Sequence, residues 1–190
     1  LENFYDTPPA AASTYFIVFA VGNLSGALLL GHFFDTWGRR RMLFGTYVLA
    51  GLILLVSAFL FNAGVLNAAT HTAFWCASFF FASAGASAAY LTVSEIFPLE
   101  VRSKAIAVFF AIAQCFGAIA PAVYGALIGD GSQPIKLFFG YLLGAVIMII
   151  GGLVAWFLAV DAEGRSLEDI ASPLAARRTG STRAEGSAGP

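Results

Sequence analysis

Of the 190 residues in this chain, 59% are hydrophobic and only 11% are charged. A soluble domain carries roughly a quarter charged residues, so an ordinary water-soluble fold is excluded. Ten Lys and Arg nearly balance eleven Asp and Glu, for a net charge of −1. No basic stripe forms, which leaves no nucleic-acid partner.

Residues 1–10, LENFYDTPPA, predict an outer loop or the stub of a preceding helix, because Pro8 and Pro9 sit in turn chemistry. Five apolar spans follow, at 11–34, 42–62, 73–97, 105–128 and 136–160. Each is long enough to cross a bilayer core, which takes about 20 helical residues. Buried strands stop after about 4–8 residues, and lipid demands self-satisfied backbone. The expected fold class is therefore an all-α membrane protein with five transmembrane helices and the lipid bilayer as a partner.

Span one carries Asn23 and the spacing Gly22-xxx-Gly26, which predicts close helix packing. A charged knot then interrupts the oil: Phe33-Phe34-Asp35-Thr36-Trp37-Gly38-Arg39-Arg40-Arg41. Gly38 can take a positive φ and turn the chain. Three arginines opening a helix oppose its macrodipole, so carboxylates elsewhere must compensate. Span two is apolar nearly all round, which suits a lipid-facing helix. In span three, Ser83, Ser87, Tyr90 and Ser94 recur at +4, +3 and +4 and form one stripe. Span four places Gln114, Gly117, Pro121 and Tyr124 on another. These two stripes and Asn23 predict a polar substrate cavity lined by spans one, three and four. Span five, like span two, reads as lipid-facing, with Gly140 and Gly144 again at small-xxx-small spacing. Residues 171–190 hold few large apolar groups and predict a disordered tail.

The basic residues fix an expected orientation. Arg39, Arg40, Arg41, Arg102, Lys104, Arg165, Arg177, Arg178 and Arg183 fall on one side, and only Lys136 falls on the other. The positive-inside rule then places the C-terminus in the cytoplasm and the N-terminus outside the cell membrane. Carboxylates stand beside the arginines on that face, at Asp35, Glu95 and Glu163. A guanidinium fork suits carboxylate pairing, so the clusters predict one charge network. Cys76 and Cys115 read as small packing residues. His32 and His71 lie too far apart in depth to share a metal. No nucleophile triad, metal pattern or phosphate loop is present, so neither an enzyme nor a cofactor is expected.

Three clusters resemble a known family. Gly31-xxx-Asp35-xx-Gly38-Arg39-Arg40 resembles the loop between helices eight and nine of the major facilitator superfamily. Ser94-Glu95-Ile96-Phe97-Pro98-xxx-Arg102 resembles the helix-ten exit of its sugar porter branch. Glu163-Gly164-Arg165-Ser166-Leu167-Glu168-Asp169-Ile170 resembles the segment after helix twelve. The resemblance covers residues 11–170 and makes the five spans helices eight to twelve of that family. They would belong to its C-terminal six-helix bundle.

It implies alternating-access transport of a sugar or similar small polar solute, facilitative or secondary active. The charge network, formed by Asp35, Gly38, Arg39, Arg40, Glu95, Arg102, Glu163 and Arg165, would latch the outward-facing state. The implied cavity residues are Asn23, Ser83, Ser87, Tyr90, Ser94, Gln114 and Tyr124. Where that branch usually has a Gly-Pro-rich segment and a Trp, this chain has Ala86-Ser87-Ala88-Ala89-Tyr90. That departure widens the implied solute to polyols and organic acids. The odd number of spans and the opening Leu1 suggest a fragment whose partner is a missing N-terminal half. Proton coupling would place its carrier in that half, since no span has a mid-membrane ionisable residue. The alternative is a non-transporting half-protein that serves as a partner subunit or solute sensor.

Overall fold

A computed structural model describes residues 5, 8–129 and 133–159. Five long helices lie among the described residues: α1 (Pro9–Thr36), α2 (Arg39–Asn62), α3 (Ala68–Ile96), α4 (Leu99–Ile128) and α5 (Pro134–Leu158). All five are long and apolar enough to cross a membrane. Each expected span lies largely within one helix. Every helix starts before its expected apolar limit, while α3 and α5 end at Ile96 and Leu158, short of 97 and 160. Thus α2 begins at Arg39 rather than at 42, and α4 runs unbroken through Pro121.

Local signals set the ends. Pro9 occupies the first turn of α1, where its missing N–H is not needed. Asn67 caps α3: its Oδ1 accepts from the Thr70 N–H at 2.8 Å while its own N–H donates to Thr70 Oγ1 at 2.9 Å. Gly38 precedes α2 with φ 96° and ψ 135°. That conformation is open to Gly and strained for other residues.

The packing order is α1 against α3, α3 against α2, and α2 against α5; α4 touches α3 and α5 lightly. Small residues permit these approaches. A Cβ built on Gly85 of α3 would meet Thr46 Oγ1 of α2 at 2.9 Å, and one on Gly152 of α5 would meet the Phe44 carbonyl oxygen at 3.1 Å. The expected close-packing roles of Gly22 and Gly26 are realised against Cys76 and Phe80 of α3.

The expectation that span two faces lipid needs correction. Helix α2 contains ten buried residues, more than any other described helix, and packs on both α3 and α5. Leucine and valine serve a protein neighbour as well as they serve lipid tails. Uniform apolarity therefore does not separate a peripheral helix from a central one. One side of α2, with Leu49, Leu52, Val56 and Phe59, stays exposed.

Candidate functional site

Helix α2 carries two seams. Toward α3 run Arg39, Leu43, Thr46 and Ala50, spaced +4, +3 and +4. Toward α5 run Arg40, Phe44, Val48, Gly51 and Leu54, spaced +4, +4, +3 and +3. The first seam is pinned midway by Ser78, whose hydroxyl donates to the Ala50 carbonyl at 2.9 Å. The second is closed by glycines: the Cβ positions of Gly51 and Gly152 come within 2.9 Å of the Ala145 carbonyl oxygen and 2.8 Å of Val48 Cγ2. Each seam begins with one arginine of the knot.

Arg39 is 8% exposed. Its Nη1 forms an ion pair with Glu95 Oε2 at the end of α3, and its Nη2 lies 3.5 Å from Asp35 Oδ1 at the end of α1. A guanidinium this enclosed requires partners, because an unpaired buried charge is costly. Glu95 is mostly covered and Asp35 mostly exposed, so Glu95 contributes the larger share. Three helix ends thus meet on one side chain. Beneath it Phe34, Met42, Leu43, Ala84 and Ala88 form a small apolar core.

Arg40 does something different. Its Nε donates to the Trp156 carbonyl in the last turn of α5, and its guanidinium carbon sits 5.2 Å from the centre of the Trp156 ring. Phe44, one turn along α2, packs on the same ring at 5.0 Å. This accounts for arginines at a helix N-terminus. Arg39 faces carboxylates, and Arg40 faces the C-terminal, negative end of another helix dipole.

The other network residues fall as follows. Arg102 Nε donates to the Phe97 carbonyl at 3.4 Å and so closes the α3–α4 turn, apart from the Arg39 cluster. Gly38 supplies the turn that lets α1 and α2 share the knot. Glu163 and Arg165 lie outside the described residues, as does the expected disordered tail at 171–190.

The expected cavity residues do not gather in one place. Ser83 donates to the Asn23 carbonyl at 2.6 Å and ties α3 to α1. Ser87 donates to Ser83 O at 2.9 Å and Ser94 to Leu91 O at 2.6 Å, both within α3. Tyr90 stacks on Phe110 of α4, with ring centres 4.3 Å apart. Gln114 is exposed. Tyr124 sits elsewhere, in a notch of α5 where the Gly144 Cβ position lies 2.9 Å from its hydroxyl. At 3.6 residues per turn, Tyr124 stands about 80° round α4 from Gln114, which turns it toward α5.

Tyr124 instead lines a cavity of about 380 Å³ with residues of all five helices, among them Phe19, Leu54, Trp75 and Tyr141. Its walls are almost wholly apolar and aromatic. At its edge His71 is 1% exposed within a box of rings from Tyr5, Phe61, Trp75 and Tyr141. Its Nδ1 is hydrogen-bonded to the Tyr5 hydroxyl at 3.0 Å.

Sequence reasoning missed Trp156, Ser78 and the His71 box. Only Ser78 left a readable signal: with Ala82, Gly85 and Thr92 it falls on one buried face of α3.

Comparison with curated proteins gave no match. The family model described as Major Facilitator Superfamily matches residues 2–183, nearly the whole chain. With five apolar helices and a charged turn between the first two, the chain belongs to the major facilitator superfamily and serves membrane transport.

Proposed function

We propose that this chain is the C-terminal part of a transporter that moves a sugar or similar small polar metabolite by alternating access. The knot end faces the cytoplasm in this reading, as the basic residues predict. The observation that carries it is Arg39, buried between Asp35 and Glu95 at the meeting of three helix ends. A lipid-facing protein needs arginine at its inner edge only for topology. A guanidinium that joins helices through carboxylates instead makes a contact that can open and close between two states.

Two features support an incomplete bundle. Helix α4 has no buried residue, and the 380 Å³ cavity is apolar. Both are accounted for by a further helix supplied from an N-terminal half. In that half would also lie any proton carrier, which makes the transporter a symporter only through its partner part. The hydroxyls of Ser87 and Ser94 and the amide of Gln114 remain the proposed solute contacts, with the rest of the solute site supplied by that half.

The test is initial-rate uptake of radiolabelled sugars, polyols and organic acids by the protein as its gene encodes it, in proteoliposomes. Arg39→Lys and Glu95→Gln should lower turnover by about tenfold while leaving KM within about twofold, since a state-dependent contact acts on the conformational step. Full activity in Arg39→Lys would reduce the arginine to a topology signal. No uptake of any solute, with binding retained, would favour a sensor or partner subunit.

A further inference from the structure

We propose that Arg40 and Trp156 form a second lock at the knot end, distinct from the Arg39–Glu95 pair, that positions α5 against α2 during the transport cycle. The role in the cycle rests on the transport reading above; the lock itself does not.

The geometry begins with the seam. Arg40 continues the α5-facing row of α2, one turn before Phe44. Trp156 ends the α2-facing row of α5, formed by Ala145, Ile149, Gly152 and Trp156 at +4, +3 and +4. The two helices run antiparallel, so the first residue of one row meets the last residue of the other. Along the row, side chains are small and backbones close: Gly51 faces Ala145 and Ile149, and Gly152 faces Phe44 and Val48. No polar contact within this row is made by those glycines and alanines. Arg40 adds one, and it adds it at the end.

Two independent contacts join the pair. The first is a hydrogen bond from Arg40 Nε to the Trp156 carbonyl. The last carbonyls of a helix have no partner within it. In α5, Ala159 N–H returns to the Ala155 carbonyl, and Arg40 serves the next one. Its cation also sits at the negative end of that helix dipole. The second contact is the guanidinium over the indole, at 5.2 Å from the ring centre. Phe44 covers another part of that ring at 5.0 Å. Trp156 is 38% exposed, against 73% and 75% for its neighbours Phe157 and Leu158. A tryptophan that merely anchors α5 in the membrane interface would not need to be covered by two residues of one α2 face.

The two arginines therefore answer to different helices. Arg39 joins α2 to α1 and α3 through carboxylates. Arg40 joins α2 to α5 through a carbonyl and a ring. Opening the first contact does not require opening the second. The Arg40–Trp156 lock keeps α5 moving with α2 while the Arg39 cluster exchanges partners.

The experiment uses the full protein with every native cysteine, Cys76 and Cys115 among them, changed to Ala, and a reporter, Ala159→Cys, beside the core under the knot. The labelling rate of the detergent-solubilised protein with a water-soluble maleimide reads how firmly the end of α5 is seated. Arg40→Ala and Trp156→Ala should each raise the rate by roughly tenfold, the scale of an exposed cation–π contact with its hydrogen bond. The double variant should not exceed the faster single one, Trp156→Phe should return most of the protection, and Arg39→Ala should change the rate less than either. In uptake, both variants should lower kcat with KM within about twofold.

Wild-type labelling in Trp156→Ala, or rates that multiply in the double variant, would overturn the lock. Coupled labelling with unchanged kcat would overturn its role in the cycle. A protein that transports nothing but shows coupled labelling would remove the transport reading and leave the lock standing.

Discussion

Gly26 of α1 stands against the backbone of Phe80 in α3 so closely that a Cβ built on it would lie 1.8 Å from the Phe80 carbonyl oxygen. Backbone cannot swing aside as a side chain can. Gly26→Ala should therefore push α1 off α3 and cost about 1–3 kcal/mol or more. Gly45→Ala makes the control, since nothing lies within 4 Å of its Cβ position. Thermal unfolding in detergent should show a lowered midpoint for the first and little change for the second.

Gly38 holds φ 96° at the turn between α1 and α2. Gly38→Ala places a side chain in a backbone region that disfavours it, at a cost of about 1 kcal/mol. The same unfolding assay should detect this. A larger loss of transport than of stability would show that the turn also sets the position of Arg39.

The Arg39–Glu95 pair should depend on both partners. Glu95→Gln removes the better covered of the two carboxylates that face the enclosed Arg39, which should destabilise the protein by about 2 kcal/mol. Arg39→Gln in the same protein should add less than its own single effect, because residues in one ion pair are not additive. A four-variant unfolding cycle measures the difference.

Ser78 and Ser87 separate two uses of serine. Ser78 is fully buried and bonds across helices to the Ala50 carbonyl, so Ser78→Ala should cost about 0.6–1 kcal/mol. Ser87 is exposed and bonds to its own helix, so Ser87→Ala should stay within ±0.5 kcal/mol. If Ser87 contacts solute, KM in the uptake assay should rise while stability holds.

The five helices were readable because apolar length alone separates a membrane span from a loop. The meeting of Asp35, Arg39 and Glu95 was readable because opposite charges at the same membrane face have few other partners. The contact of Arg40 with α5 was not. A backbone carbonyl leaves no mark in a sequence, and Trp156 looks like any interfacial tryptophan. The central place of α2 was hidden for a different reason: Val48, Gly51 and Leu54 would look the same against lipid. The hydroxyl row of α3 was legible as a row, but spacing could not say that Ser83 spends its proton on Asn23 of α1.

Because the α-helix advances about 100° per residue, Arg39 and Arg40 leave α2 in different directions, and everything behind them inherits that angle. Removing a single residue between Gly38 and Met42 would turn the rows behind it away from α5 and α3 together. Glycines such as Gly51, which fit only one neighbour, would then face the wrong helix. Homologues of this chain should therefore tolerate exchange of side chains in the turn far better than they tolerate a change in its length.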